Sequence, residues 1–324
     1  MKIAALLPHF EVFGGVRRYL EIGNELIKRG HEYVIFNVRD KKVEWFDFRG
    51  SIKSMDQIEK DYFDFAICSE YSILNHFEKI KAKRKIFYFI LEGHKREKEV
   101  IKKDYIFLGN SIGICKKIER KYGKKCFHAP GGINPEIFYP IKREKDEKFR
   151  ILCYGRIYKR RKGINKIIKA VEKLYKKYKF LELILFDTPV GKEKIDIRKL
   201  IKPKVPTKFF INLPQDKMAW LYSQGDVFVS AEKRAGWSNT TAEAMACKIP
   251  VICTKSGTQD FAINNQTALI ISFNHPLFIA KKIENLIKNE ELRCKLAENG
   301  YRKIHEFTWS KLVDKLESIF NDLL

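Results

Sequence analysis

The chain has 324 residues, 45% of them hydrophobic, enough to bury the cores of two domains of about 150 residues each. It lacks a stretch of about 18 uncharged apolar residues, which excludes a transmembrane helix, and its odd count of seven cysteines without a Cys-x-x-Cys pair suggests neither a disulfide framework nor a zinc site. Its 64 Lys plus Arg against 40 Asp plus Glu give a formal net charge of +24, a field that attracts nucleic acid, anionic lipid or nucleoside diphosphates, although many lysines decorate solvated helix faces.

The chain opens in a strand over 3–7 without a basic leader, so a cytoplasmic protein is expected. Gly14-Gly15 follow, then a helix over 17–29, Gly30-His31 and a strand over 33–37. With Leu20, Gly23, Asn24 and Ile27 at helical spacing, this is a βαβ unit and predicts a parallel sheet. Further buried strands are expected over 65–69, 85–91 and 105–110. Pro130-Gly131-Gly132 and Pro135 break regular structure, and the charged run 142–150 reads as an interdomain linker. A second alternation follows: strand 151–154, a loop 155–163 carrying five cations, helix 164–177, strand 181–186, strand 209–211, helix 217–223, strand 226–230, a polar loop, a helix beginning near Thr241, and a strand through Val251. Residues 290–324 are helical by pattern, with a break at Trp309-Ser310. The expected organisation is a first domain over 1–145, a second over 146–307, and a final helix at 308–324 that packs back on the first.

Four segments carry chemistry. Gly14 and Gly15 let the backbone approach a ligand ahead of a helix N-terminus, although the pattern is not G-x-G-x-x-G and a plain Gly-rich turn also fits. In the loop after the second domain's first strand, Arg156 offers a planar fork to phosphate oxygens and Lys162 a point charge near the next helix start. Lys159, Arg160 and Arg161 fit a solvated basic loop better. Ser238, Asn239, Thr240 and Thr241 sit where a helix leaves its first N–H groups unpaired, with Glu243 one turn in, placed for a sugar hydroxyl. A capping box between Thr240 and Glu243 explains the same letters. His94, beyond the strand 85–91, lies at the ligand-facing end of its sheet or is an ordinary loop histidine.

In order along the chain, these landmarks resemble glycosyltransferase family 4, retaining enzymes of the GT-B fold. The likeness rests on Gly14-Gly15 with Arg29-Gly30-His31-Glu32, on Pro130-Gly131-Gly132-Ile133-Asn134 with Phe138 and Pro140, on Gly155-Arg156 with Lys162-Gly163, and on Glu243-Ala244-Met245-Ala246-Cys247 with Pro250-Val251. It implies an α/β GT-B architecture, two Rossmann-like doubly wound domains facing across a cleft. It also implies a nucleoside diphosphate sugar as co-substrate, with no cofactor and no metal. Arg156 and Lys162 would take the diphosphate, Glu243 the ribose, Gly14-Gly15 the phosphates, and His94 the donor sugar, with Trp237 and the 238–241 turn around the donor. The acceptor would be a glycan or a lipid-linked acceptor, as in the making of a cell-envelope polysaccharide, and the basic surface of the chain suits contact with the anionic inner face of a membrane. No nucleic-acid partner is expected. An inverting transferase or nucleotide-sugar epimerase of the same fold, or a non-catalytic partner or polyanion-binding subunit, remains an alternative.

One departure stands out. The family usually carries Glu-x7-Glu, yet eight residues before Glu243 stands Ala235. Glu232 is expected to replace the missing carboxylate if the loop is two residues longer.

Overall fold

A computed structural model describes residues 1–39, 42–91, 93–144, 146–189 and 195–324. The chain divides into two compact units, Met1–Gly132 with Trp309–Leu324, and Ile133–Thr308.

The first unit runs β1 (Lys2–Leu7), α1 (Gly14–Lys28), β2 (Glu32–Asn37), β3 (Ser51–Ser54), β4 (Tyr62–Cys68), α2 (Leu74–Lys79), β5 (Lys81–Phe89), α3 (Glu97–Ile101), β6 (Ile106–Gly109), α4 (Ile112–Tyr122) and β7 (Cys126–His128). The strands form a parallel sheet in the order β3-β2-β1-β4-β5-β6-β7. Its central strands are apolar on both faces, as a sheet covered by helices on both sides requires. The final helix, named α11 below, closes this unit: Trp309, Leu312, Val313, Leu316 and Phe320 are buried among residues of β1 and α1, and the Phe320 ring stacks on Phe65 at 4.3 Å. Arg29 and His31, basic groups at the C-terminal end of α1 where its dipole favours cations, hold Glu317 of the final helix, His31 Nε2 at 2.7 Å.

The second unit runs β8 (Phe149–Tyr154), α5 (Ile164–Tyr175), β9 (Leu181–Asp187), α6 (Ile197–Leu200), β10 (Thr207–Ile211), α7 (Met218–Ser223), β11 (Val227–Ser230), α8 (Asn239–Ala246), β12 (Val251–Cys253), β13 (Leu269–Ile270), α9 (Pro276–Lys288) and α10 (Glu290–Ile304), with α11 (Trp309–Leu323) following. Its parallel sheet has the order β10-β9-β8-β11-β12-β13. In each sheet the strand order reverses beside the first strand, between β1 and β4 and between β8 and β11. Open α/β sheets bind ligands beyond the carboxyl ends of their strands at such a point.

The boundary between the units falls at Gly132–Ile133, before the run 142–150 expected as the linker. Burial explains the shift. Ile133 and Phe138 lie in the core of the second unit with Tyr222, and Arg143 pairs with Asp226 at 2.6 Å, so the chain has joined that unit before the charged run begins. Helix α1 also starts earlier than expected, with Gly14 and Gly15 forming its first turn. Six of the seven cysteines are buried, and Cys294 on α10 is exposed.

Candidate functional site

In the second unit, Tyr154 ends β8 and Arg156 follows it, 93% buried. A guanidinium so desolvated needs acceptors: its Nε donates to Asp187 Oδ1 at 3.3 Å, its Nη2 donates to the Thr188 carbonyl at 2.5 Å, and its plane lies 5.0 Å from the Tyr154 ring. Asp187 ends β9, the neighbouring strand, and burial pushes its carboxyl above the usual range while Arg156 opposes the shift. Arg156 is thus a cation held in place by its scaffold.

Lys162 reaches the same ring from the far end of the loop, its Nζ 5.5 Å from Tyr154 and 2.8 Å from Glu232. Burial lowers the Lys162 ammonium below the ordinary lysine range, and the Glu232 carboxylate works against that shift. Glu232, just past β11 and 2% exposed, also accepts from Arg161 at 3.1 Å. Its oxygens therefore face the two cations of the 155–163 loop. The expected role of Glu232, a sugar-facing replacement for the carboxylate missing at Ala235, does not fit this placement. The Ala235 N–H donates to Ser256 Oγ at 2.8 Å, and the Ala235 side chain ends in a methyl packed where a Cβ on Gly257 would stand 2.7 Å away. Gly163, φ +71°, closes the loop against the Ala231 carbonyl; a Cβ there would fall 2.3 Å from that oxygen.

Helix α8 starts at Asn239, with Ser238 as N-cap and no side chain capping its first N–H groups. The capping-box reading of Thr240 and Glu243 is therefore not what forms. Ser238 Oγ instead bonds Thr241 Oγ1 at 2.8 Å, and the Glu243 carboxylate accepts from the Tyr222 hydroxyl at 2.7 Å. Ser238 and Thr241 are buried and shape the turn, while Asn239, Thr240 and Glu243 are half-buried at its surface. Trp237 departs from the expectation of a donor-facing ring. It is 7% exposed, 4.7 Å from Phe261 and 5.5 Å from Phe307, and supports the loop from the core side. Asp187 and Tyr222 carry no local signal in the sequence; the adjacency of β8 and β9 brings Asp187 to Arg156, and the packing of α7 beside α8 brings Tyr222 to Glu243.

In the first unit, Gly14 and Gly15 begin α1 beyond β1, again without a side-chain cap. A Cβ on Gly15 would meet Ile90 Cδ1 at 2.8 Å, so close packing against the segment after β5 also requires the glycine. His94 lies in that segment. Its ring stacks on Tyr71 at 3.9 Å and 13°, and its Nδ1 accepts from the Arg96 N–H at 3.1 Å, which puts the proton of a neutral ring on Nε2. Buried Glu97 pins the loop, accepting from the Gly93 N–H at 2.7 Å, from Tyr122 at 2.7 Å and from Lys121 at 3.0 Å.

The family described as glycosyl transferases group 1 matches residues 136–303, more than half of the chain. The chain belongs to that family. Its match to the capsular polysaccharide biosynthesis glycosyltransferase CapM of Staphylococcus aureus is 29% identical over 209 residues, 61% of this chain and 54% of CapM. The chain spans about half the length of the curated relatives it matches. Among solved structures, sucrose-phosphate synthase from Thermosynechococcus elongatus superposes with a TM-score of 0.84 at 16% identity, covering 99% of this chain and 98% of that one. Anabaena HepE in complex with UDP and glucose gives 0.78 at 12% identity, with 99% of each chain covered. These likenesses establish the GT-B fold, an α/β architecture of two Rossmann-like domains.

Proposed function

We propose that the protein is a retaining glycosyltransferase that moves a sugar from a nucleoside diphosphate sugar to a glycan or lipid-linked acceptor. The observation that carries the reading is the pair Arg156 and Lys162, both largely withdrawn from water and both over Tyr154, at the carboxyl edge of the sheet where its strand order reverses. A diphosphate between them and the uncapped start of α8 meets two fixed cations and a set of backbone donors. Glu243, steadied by Tyr222, takes the ribose hydroxyls, and His94 takes a hydroxyl of the donor sugar. UDP in the HepE complex fits the same ligand class.

Such a site lowers the barrier by stabilising charge that develops on the departing diphosphate. The bond from the anomeric carbon to the phosphate oxygen breaks, the acceptor oxygen bonds that carbon on the same face, and the acceptor's proton passes to the leaving phosphate. Two preorganised cations stabilise that departing charge more than they stabilise the ground state, by a few kcal/mol each. Neither a protein nucleophile nor a metal enters the scheme.

A thermal-shift series with UDP, GDP, CDP, dTDP, ADP and their sugar conjugates tests the reading. A ligand at 100 times its Kd adds about 2.7 kcal/mol. Stabilisation by one nucleoside diphosphate, lost in Arg156→Ala, is the expected result; none with any member overturns it. Ala235 favours a second reading, a subunit of this fold that binds donor without turning it over. Release of the free diphosphate on adding acceptor separates the two.

A further inference from the structure

Beyond β13 the chain turns into α9 and leaves Phe273, Leu277 and Phe278 exposed, Phe273 at 65%. The two phenyl rings lie 5.1 Å apart. Leu277 and Phe278 occupy the first turn of α9, while Ile279, Ala280 and Ile283 are buried in the core shared with α5. The apolar trio is therefore surplus to folding, and a cluster of this kind rimmed by polar groups marks a contact surface.

The rim is cationic. Lys281 Nζ stands 6.0 Å from the Phe278 ring, Lys166 of α5 donates to the Asn274 carbonyl, and Lys169 is exposed one turn along α5. Burial and neighbouring Lys233 lower the Lys166 ammonium, as expected where like charges crowd. The carboxylate within α9, Glu284, is held by Lys177 and Lys288. Three apolar side chains flanked by lysines that form no ion pair among the described residues, on a chain of net charge +24, complement an extended anionic surface with an apolar interior. A globular partner would call for an apolar core several times larger. The patch also adjoins the candidate site: Asn274 Nδ2 donates to the Ala231 carbonyl at 2.7 Å, directly before Glu232.

We propose that Phe273, Leu277 and Phe278, flanked by Lys166, Lys169 and Lys281, dock the second unit on an anionic lipid bilayer. The apolar side chains enter the headgroup boundary, the lysines stay among the lipid phosphates, and the loop after β11 is brought to headgroup level. The docking does not depend on the transfer reaction. Only its use, meeting a lipid-borne acceptor, rests on that reading.

Vesicle sedimentation of the full chain tests it, with phosphatidylcholine alone and with phosphatidylglycerol added. Partition onto the phosphatidylglycerol vesicles, falling with salt, is expected. Each surface lysine is worth about fivefold in partition, so Lys169→Ala with Lys281→Ala lowers it about 25-fold. Phe273→Ser, Leu277→Ser and Phe278→Ser together lower it by about tenfold or more and remove the part that survives high salt. All five positions are exposed, so folding and nucleoside diphosphate binding in the thermal-shift assay should be unchanged. Failure of wild type to sediment, or unchanged partition of the apolar variant, overturns the proposal. So does a concentration-dependent dimer in light scattering that the apolar variant abolishes, which assigns the patch to a second copy of the chain.

Discussion

The two units carry their candidate site groups by different physical means. In the second unit the groups are charged, and each is held by a polar partner: Arg156 by the Asp187 carboxylate, Lys162 by the Glu232 carboxylate, and Glu243 by a tyrosine hydroxyl. In the first they are a helix start and a ring, held by shape: Gly15 by the closeness of Ile90, and His94 by the face of Tyr71. The Glu232 carboxylate opposes the loss of the Lys162 proton and so favours the cation that a diphosphate needs. Shape in the first fixes position without committing charge.

The sharpest way to break that comparison is to remove one group from each side. Arg156→Ala should lower kcat/KM by about 10²- to 10³-fold, the usual cost of a preorganised donor facing developing charge, and Arg156→Lys should recover little because the fork is lost. His94→Ala should cost about ten- to a hundredfold in the same steady-state measurement, as loss of one hydrogen bond to the donor sugar. Equal losses at the two positions would dissolve the distinction.

Backbone substitutions come next. Gly163→Ala forces a left-handed residue and drives a Cβ into the Ala231 carbonyl, so denaturant titration should show a loss of about 3 kcal/mol. At Gly15 the obstacle is the tip of an isoleucine, which turns aside, and Ala should cost about 1 kcal/mol or less. A larger loss at Gly15 than at Gly163 contradicts the account of both loops.

What the sequence made legible follows the same division. The β1-α1-β2 unit shows because apolar residues recur at strand and helix periods over long stretches, and Arg156, Lys162 and Glu243 show because their motifs are local. Strand β3, Ser51–Ser54, and strand β7, Cys126–His128, do not: each is an edge strand of four residues or fewer, and β3 is exposed or half-buried throughout. The partners Asp187, Tyr222 and Tyr71 escape notice because each lies at least 21 residues from the group it holds and only tertiary packing joins them. Trp237 misleads for a related reason. Its neighbours in the sequence are polar, while Phe261 and Phe307, which bury it, come from distant loops.

Two smaller effects sharpen the picture of the charged site. Tyr222→Phe removes the hydroxyl that steadies Glu243, and donor affinity should fall by a few-fold, about 1 kcal/mol, in calorimetry. The last concerns pH. Lys162 attracts a diphosphate only while protonated, and burial has lowered its pKa, so donor affinity should be full at neutral pH and decline on the alkaline side before an exposed lysine would lose its proton. Glu232→Gln removes the carboxylate that counters burial and should move that decline to lower pH. A pH profile of donor Kd that is identical in the two proteins would show that Glu232 does not control Lys162.

The distribution of thiols gives the chain a practical property. Burial pushes the Cys68 and Cys253 thiols up to about 12 and raises those of Cys153 and Cys247, and a hydrogen bond with Cys115 together with burial raises that of Cys126, so their thiolates are scarce and out of reach of alkylating reagents. Cys115 is buried as well, which leaves Cys294 on α10 to react. A maleimide dye added to the native protein should therefore attach at one position without any cysteine having been engineered away, giving an optical reporter on the second unit. Labelling that rises beyond one dye per chain would then count molecules whose cores have opened.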